Sequence, residues 1–72
     1  MNNLNVAKIQ LNGDPYEVIN GTNLNELLNK LKLQKNKIAI EVNGEIIEKS
    51  KYPNLILRRG DKVEIVHFIG GG

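Results

Sequence analysis

The sequence predicts a single α+β domain: a mixed sheet of five strands, or four and a short one, with one helix across one face. Apolar and polar residues alternate with a strand's period on both sides of a central segment, and that segment alone switches to the period of a helix. With 72 residues and no cysteine, the chain supports only one small, disulfide-free core. A domain of this size buries about 60% of the surface its unfolded chain exposes, which leaves little volume for a deep catalytic pocket. A carrier or binding module is expected.

Ala7, Ile9 and Leu11 alternate with Lys8 and Gln10, Asn12-Gly13-Asp14-Pro15 supplies a turn, and residues 16–19 return as the second strand of a hairpin. Residues 1–5 precede the clean alternation and are expected to be a flexible extension, followed by a folded domain over 6–69 and a reactive tail over 70–72. After Asn20-Gly21, the stretch TNLNELLNKLKL places Leu24, Leu27, Leu28 and Leu31 on one helical stripe. Asn23 with Glu26 has capping-box spacing, and Thr22 competes as the N-cap. Asn20-Gly21-Thr22 also matches a glycosylation sequon but reads as a turn in so Asn-rich a chain.

Ile38, Ile40 and Val42 form a third strand, and Asn43-Gly44 turns it into Glu45–Glu48 through a type I′ hairpin. Lys49 to Leu57, with Tyr52-Pro53, has no clean period and reads as an irregular crossover that holds at most one helical turn. Arg58-Arg59-Gly60-Asp61 is a turn, and Lys62 to Ile69 is the longest β-prone run, expected at the sheet centre and parallel to the first strand. Two hairpins, one crossing helix and a central last strand together describe the ubiquitin-like β-grasp.

Composition narrows the function classes. An apolar content of 40% with 25% charge is ordinary for a soluble protein, and no apolar run approaches a membrane span. The start lacks the pattern of a secretory signal, so a cytoplasmic location is expected. The net charge of +2 is spread along the chain, and the densest basic stretch, Lys30, Lys32, Lys35 and Lys37, reads as a solvated helix end, so no nucleic acid is implied.

Catalytic sets are nearly absent. His67 is the single histidine and has no positioned partner in the pattern, so it reads as a packed or half-exposed structural residue. Glu41, Glu45 and Glu48 straddle a hairpin and read as solvated charges, and no metal-ligand spacing is present. The unusual feature is the end of the chain, where the β-prone run stops at Gly70-Gly71-Gly72. Glycine has no Cβ, so such a tail threads a narrow channel and leaves its terminal carbonyl open to attack. A free carboxylate is a poor electrophile, and its covalent use requires activation by an ATP-dependent adenylating enzyme. The plain alternative is a glycine-rich terminus without a role.

From Ile9 onward, the segments GTNLNELLNKLKL, IAIEVNGEII and RRGDKVEIVHFIGGG resemble the ThiS family, the sulfur carriers of thiamine thiazole biosynthesis. The specific parts are Val42-Asn43-Gly44-Glu45, the Gly60-Asp61 turn and the run from Val63 to Gly72. The resemblance implies a non-enzymatic co-substrate, monomeric when free and with no bound cofactor. A ThiF-type enzyme would adenylate the Gly72 carboxylate with ATP and magnesium, and the persulfide of a cysteine desulfurase would supply sulfur. A ThiG-type thiazole synthase would then accept that sulfur from the Gly72 thiocarboxylate, with Gly70 and Gly71 threading the channel.

Alternation in the last strand turns Val63 and Ile65 toward the helix and leaves Val66 and Phe68 on the open face, where they are expected to dock a partner. The competing possibility is that Phe68 folds over its own sheet. Related functions stay open at this level: β-grasp carriers for molybdopterin or transfer-RNA thiolation, a ubiquitin-like tag, and a TGS-like RNA-binding module. The low aromatic content of 4% and the near-balanced charge disfavour the RNA binder.

Overall fold

The computed structural model describes residues 5–68. Strands β1 (Val6–Leu11) and β2 (Asp14–Ile19) form the first antiparallel hairpin. Its loop, Asn12-Gly13, has both residues at positive φ (50° and 88°), as a type I′ turn requires to match the twist of its strands. Helix α1 (Leu24–Leu31) follows, then a short 3₁₀ turn at Lys35–Lys37 and strand β3 (Ile38–Val42). Asn43 and Gly44 (φ 53° and 87°) make the second such turn, into the two-residue strand β4 (Glu45–Ile46). A 3₁₀ segment at Lys49–Asn54 fills the crossover expected to be irregular, and β5 (Lys62–His67) closes the sheet.

The strand order is β2-β1-β5-β3-β4, with β1 and β5 parallel and the other pairs antiparallel. The last strand is therefore central, as its β-prone sequence predicts. It is described only to His67, and Ile69 lies outside the described residues. β4 covers only half of the Glu45–Glu48 segment expected to be a strand. Ile47 still donates to the Ile40 carbonyl at 2.9 Å before the chain leaves the sheet.

The helix is shorter than the twelve-residue stretch that suggested it, and its caps explain why. Asn23, not Thr22, is the N-cap: its Oδ1 accepts from the Glu26 N–H at 2.8 Å, and Glu26 Oε1 accepts from the Asn23 N–H at 2.9 Å. Thr22 instead donates its hydroxyl to the Ile19 carbonyl at 2.6 Å. At the other end Lys32 adopts a left-handed conformation (φ 60°), which stops the helix one residue after its last stripe position.

Leu24, Leu27 and Leu28 pack on Ile9, Val18, Ile38, Ile40 and Val63, all buried. The crossover is stitched to the helix start by Leu57 N–H to Thr22 C=O at 2.8 Å and Leu24 N–H to Leu55 C=O at 3.2 Å. It inserts Tyr52, fully buried, into the same core. Asn5, grouped by sequence with the extension, accepts on its carbonyl from the Asn20 N–H at 2.7 Å. No described helix is long and apolar enough to cross a membrane.

Candidate functional site

The central strand that leads toward the tail is held from both sides by the two asparagines of the I′ turns. Asn43 Oδ1 accepts from the Lys62 N–H at 2.9 Å, and its Nδ2 donates to Asp61 Oδ1 at 3.0 Å. Asp61 Oδ2 accepts from the Arg58 N–H at 2.8 Å and closes the turn that starts β5. From the other side, Asn12 Oδ1 accepts from the Ile65 N–H at 2.8 Å. The left-handed backbone of each Asn is what aims its short amide at β5. Sequence reasoning identifies both residues only as turn formers.

β5 carries its residues as alternation predicts. Val63 and Ile65 are buried against the helix side, whereas Val66 and Phe68 are 56% and 54% exposed. Val66 stands opposite Ala39 in β3, and Ile46 of β4, 73% exposed, stands opposite Glu41 on the same uncovered face. Sequence reasoning does not single out Ile46 as a face residue, because Glu45-Ile46-Ile47-Glu48 does not alternate. Phe68 continues the ladder, its N–H donating to the Lys37 carbonyl at 2.9 Å. Its ring meets Lys49 Nζ at 5.6 Å from the centroid, and that ammonium also donates to the Ile38 carbonyl at 2.9 Å. Phe68 therefore leans on a cation without closing over its sheet. Glu41 and Glu64 face each other directly on this surface.

His67 is exposed and not packed or half-exposed as expected, because β5 has by then passed its last buried position, Ile65. Among the described residues no group of three His, Cys, Asp or Glu side chains converges on a metal-sized site. Glu45 and Glu48 are exposed, and Glu41 is half-buried. Tyr52 is a buried titratable group whose phenol is pushed above its ordinary value of 10.0 by loss of solvent, an effect the Ile40 backbone partly offsets. Among the described residues its buried Oη has no hydrogen-bond partner, so Tyr52 is a packing residue. Gly70, Gly71 and Gly72, the expected threading stem and reactive end, lie outside the described residues.

A five-stranded mixed sheet folded around one helix, with the last strand central and parallel to the first, defines a ubiquitin-like β-grasp domain. A crystal structure of the thiamine biosynthesis protein ThiS from Geobacter metallireducens has this fold. It superposes with a TM-score of 0.78 at 35% identity and covers 90% of this chain and 99% of that one. A model of the ThiS family matches residues 9–72. The sulfur carrier protein ThiS of Bacillus subtilis is 38% identical over 65 residues, 89% of this chain and 98% of that protein. The chain belongs to the ThiS family. A thiazole synthase of Magnetococcus marinus is 42% identical over 65 residues, 90% of this chain. The chain spans only 20% of the length of that synthase and of a second one from Paramagnetospirillum magneticum.

Proposed function

We propose that this chain is the sulfur carrier of thiamine thiazole biosynthesis, with its cargo borne on the Gly72 carboxylate. The observation that carries the reading is the reach of the family match, which runs over residues 9–72 and takes in the last glycine. In the first step a carboxylate oxygen of Gly72 attacks the α-phosphorus of ATP on a magnesium-dependent ThiF-type enzyme, and pyrophosphate leaves. The terminal sulfur of a cysteine desulfurase persulfide then attacks the acyl carbon and expels AMP. A thiol cleaves the resulting acyl disulfide and leaves a thiocarboxylate. A ThiG-type synthase takes the sulfur and returns the carboxylate. The similarity of this chain to one fifth of the two thiazole synthases supports direct handover to such an enzyme.

In this scheme the carrier performs no catalysis, binds no cofactor and acts as a cytoplasmic monomer. Its folded part presents the tail, and Gly70 and Gly71 let it enter a channel closed to larger side chains. Val66 and Phe68, exposed on the face opposite the helix, dock the partner enzymes beside that channel. The test is intact-mass measurement after incubation with the ThiF-type enzyme, ATP, magnesium and a persulfide donor. The expected gain is about 16 Da, one oxygen exchanged for one sulfur. Deletion of Gly72 abolishes the gain with the fold intact. A truncated chain that still acquires sulfur overturns the assignment.

A further inference from the structure

The backbone of β5 is satisfied unequally along its two edges. On the β3 side, even-numbered residues carry the ladder: the Asn43 N–H donates to the Lys62 carbonyl at 2.7 Å, and the Phe68 N–H donates to the Lys37 carbonyl at 2.9 Å. Odd-numbered residues consequently turn their N–H and C=O groups toward β1. There the Gln10 N–H donates to the Asp61 carbonyl and the Asn12 N–H to the Val63 carbonyl, both at 2.9 Å. Pairing with β1 ends at Leu11–Val63, and Asn12 Oδ1 takes the Ile65 N–H. β1 then turns away at Asn12-Gly13. The next groups along this edge are the Ile65 C=O, the His67 N–H and the His67 C=O. Among the described residues none of these has a hydrogen-bond partner.

An unpaired strand edge is a template for a further strand, and folded proteins usually blunt such edges with proline, lysine or a bulge. This stretch has none of these: it reads Val66-His67-Phe68, all exposed and all compatible with a strand. We propose that the edge of β5 at Ile65–Phe68 accepts an extended segment of the enzyme that acts on Gly72, which adds a short strand collinear with β1. The inference rests on the reading of Gly72 as the group acted on. His67 is five residues from Gly72, a span of at most about 18 Å when extended. An enzyme that encloses the glycines must therefore place its own backbone beside this edge. Main-chain pairing there holds the stem at a set register, and the side chains on the open face add specificity. A second copy of the chain fits less well, because three backbone groups anchor far too little surface for a stable dimer.

The test exploits the fact that the His67 N–H has no hydrogen-bond partner among the described residues. His67→Pro removes that donor and leaves the β3 ladder at Val66 and Phe68 in place, whereas His67→Ala keeps it. Affinity for the ThiF-type enzyme is measured by titration calorimetry. It falls about tenfold for His67→Pro and changes by less than about twofold for His67→Ala. A second reading uses the wild-type chain. Amide exchange at His67 is fast in the free protein and slows about tenfold or more when the enzyme is added. Equal affinity of the two variants, or unchanged exchange at His67 in the complex, overturns the proposal. So does protection that already rises with the concentration of the free chain, which would mark a second copy on the edge. The carrier reading fails separately, by the absence of the sulfur mass gain in the wild type, and neither affinity nor exchange depends on that gain.

Discussion

Replacing Val66 by Lys and Phe68 by Glu tests the docking face with little disturbance to the fold. Full burial of a Val or Phe side chain contributes about 1.5–3 kcal/mol. Both residues are only a little more than half exposed, at 56% and 54%, so docking has about half of that left to gain at each. The pair together then supplies about 1.5–3 kcal/mol of binding, a factor of about ten to one hundred in Kd. Stability changes by less than about 1 kcal/mol, since neither side chain belongs to the core. Lys49 already sits over the Phe68 ring, and a carboxylate at position 68 gives that ammonium an opposite charge in place of the aromatic face. Calorimetric titration of the double variant against the ThiF-type and ThiG-type enzymes reads the Kd values, and urea unfolding followed by circular dichroism reads stability. A folded double variant that binds both enzymes as tightly as the wild type refutes the reasoning.

Tyr52→Phe removes a buried hydroxyl that has no hydrogen-bond partner among the described residues and is expected to stabilise the domain by about 1 kcal/mol, raising Tm by about 4–8 °C. Destabilisation of that size in thermal unfolding would mean that Oη is bonded after all. Burial raises the folded-state value of this phenol above its unfolded value of 10.0. Its contribution is therefore intact below pH 10.0 and is lost as pH rises from there through the folded-state value. The Phe variant lacks this contribution to the alkaline loss, which paired denaturation curves across that range detect. Asn43→Ala gives up two side-chain hydrogen bonds and puts a Cβ residue without a stabilising amide at φ 53°, for a loss of about 2–4 kcal/mol. Asn43→Gly restores the conformational freedom alone and recovers about 1 kcal/mol of that, so equal urea midpoints for the two variants would discount the turn geometry.

Much of the architecture is written in short-range pattern. The leucine stripe from Leu24 to Leu31, the alternation of Ile38 to Val42 and the two Asn-Gly pairs each dictate their element locally, because the helical and strand periods and the left-handed turn depend on residues a few positions apart. The contrast between Val66 and the buried Val63 is legible for the same reason.

Other features depend on residues far apart in the chain, and local pattern does not reach them. The burial of Tyr52 follows from how the crossover packs on the helix. The amides of Asn12 and Asn43 become clamps on β5 only once the two turns flank it, with Asn12 reaching across 53 positions to Ile65. The bare edge beyond Ile65 arises the same way. It exists because β1 and β5, both six residues long, pair in a staggered register, the end of β1 meeting the start of β5, and that register is set between two segments that share no local pattern. Composition and period determined the elements, whereas the registers of distant strands decided which backbone groups and side chains the sheet leaves exposed.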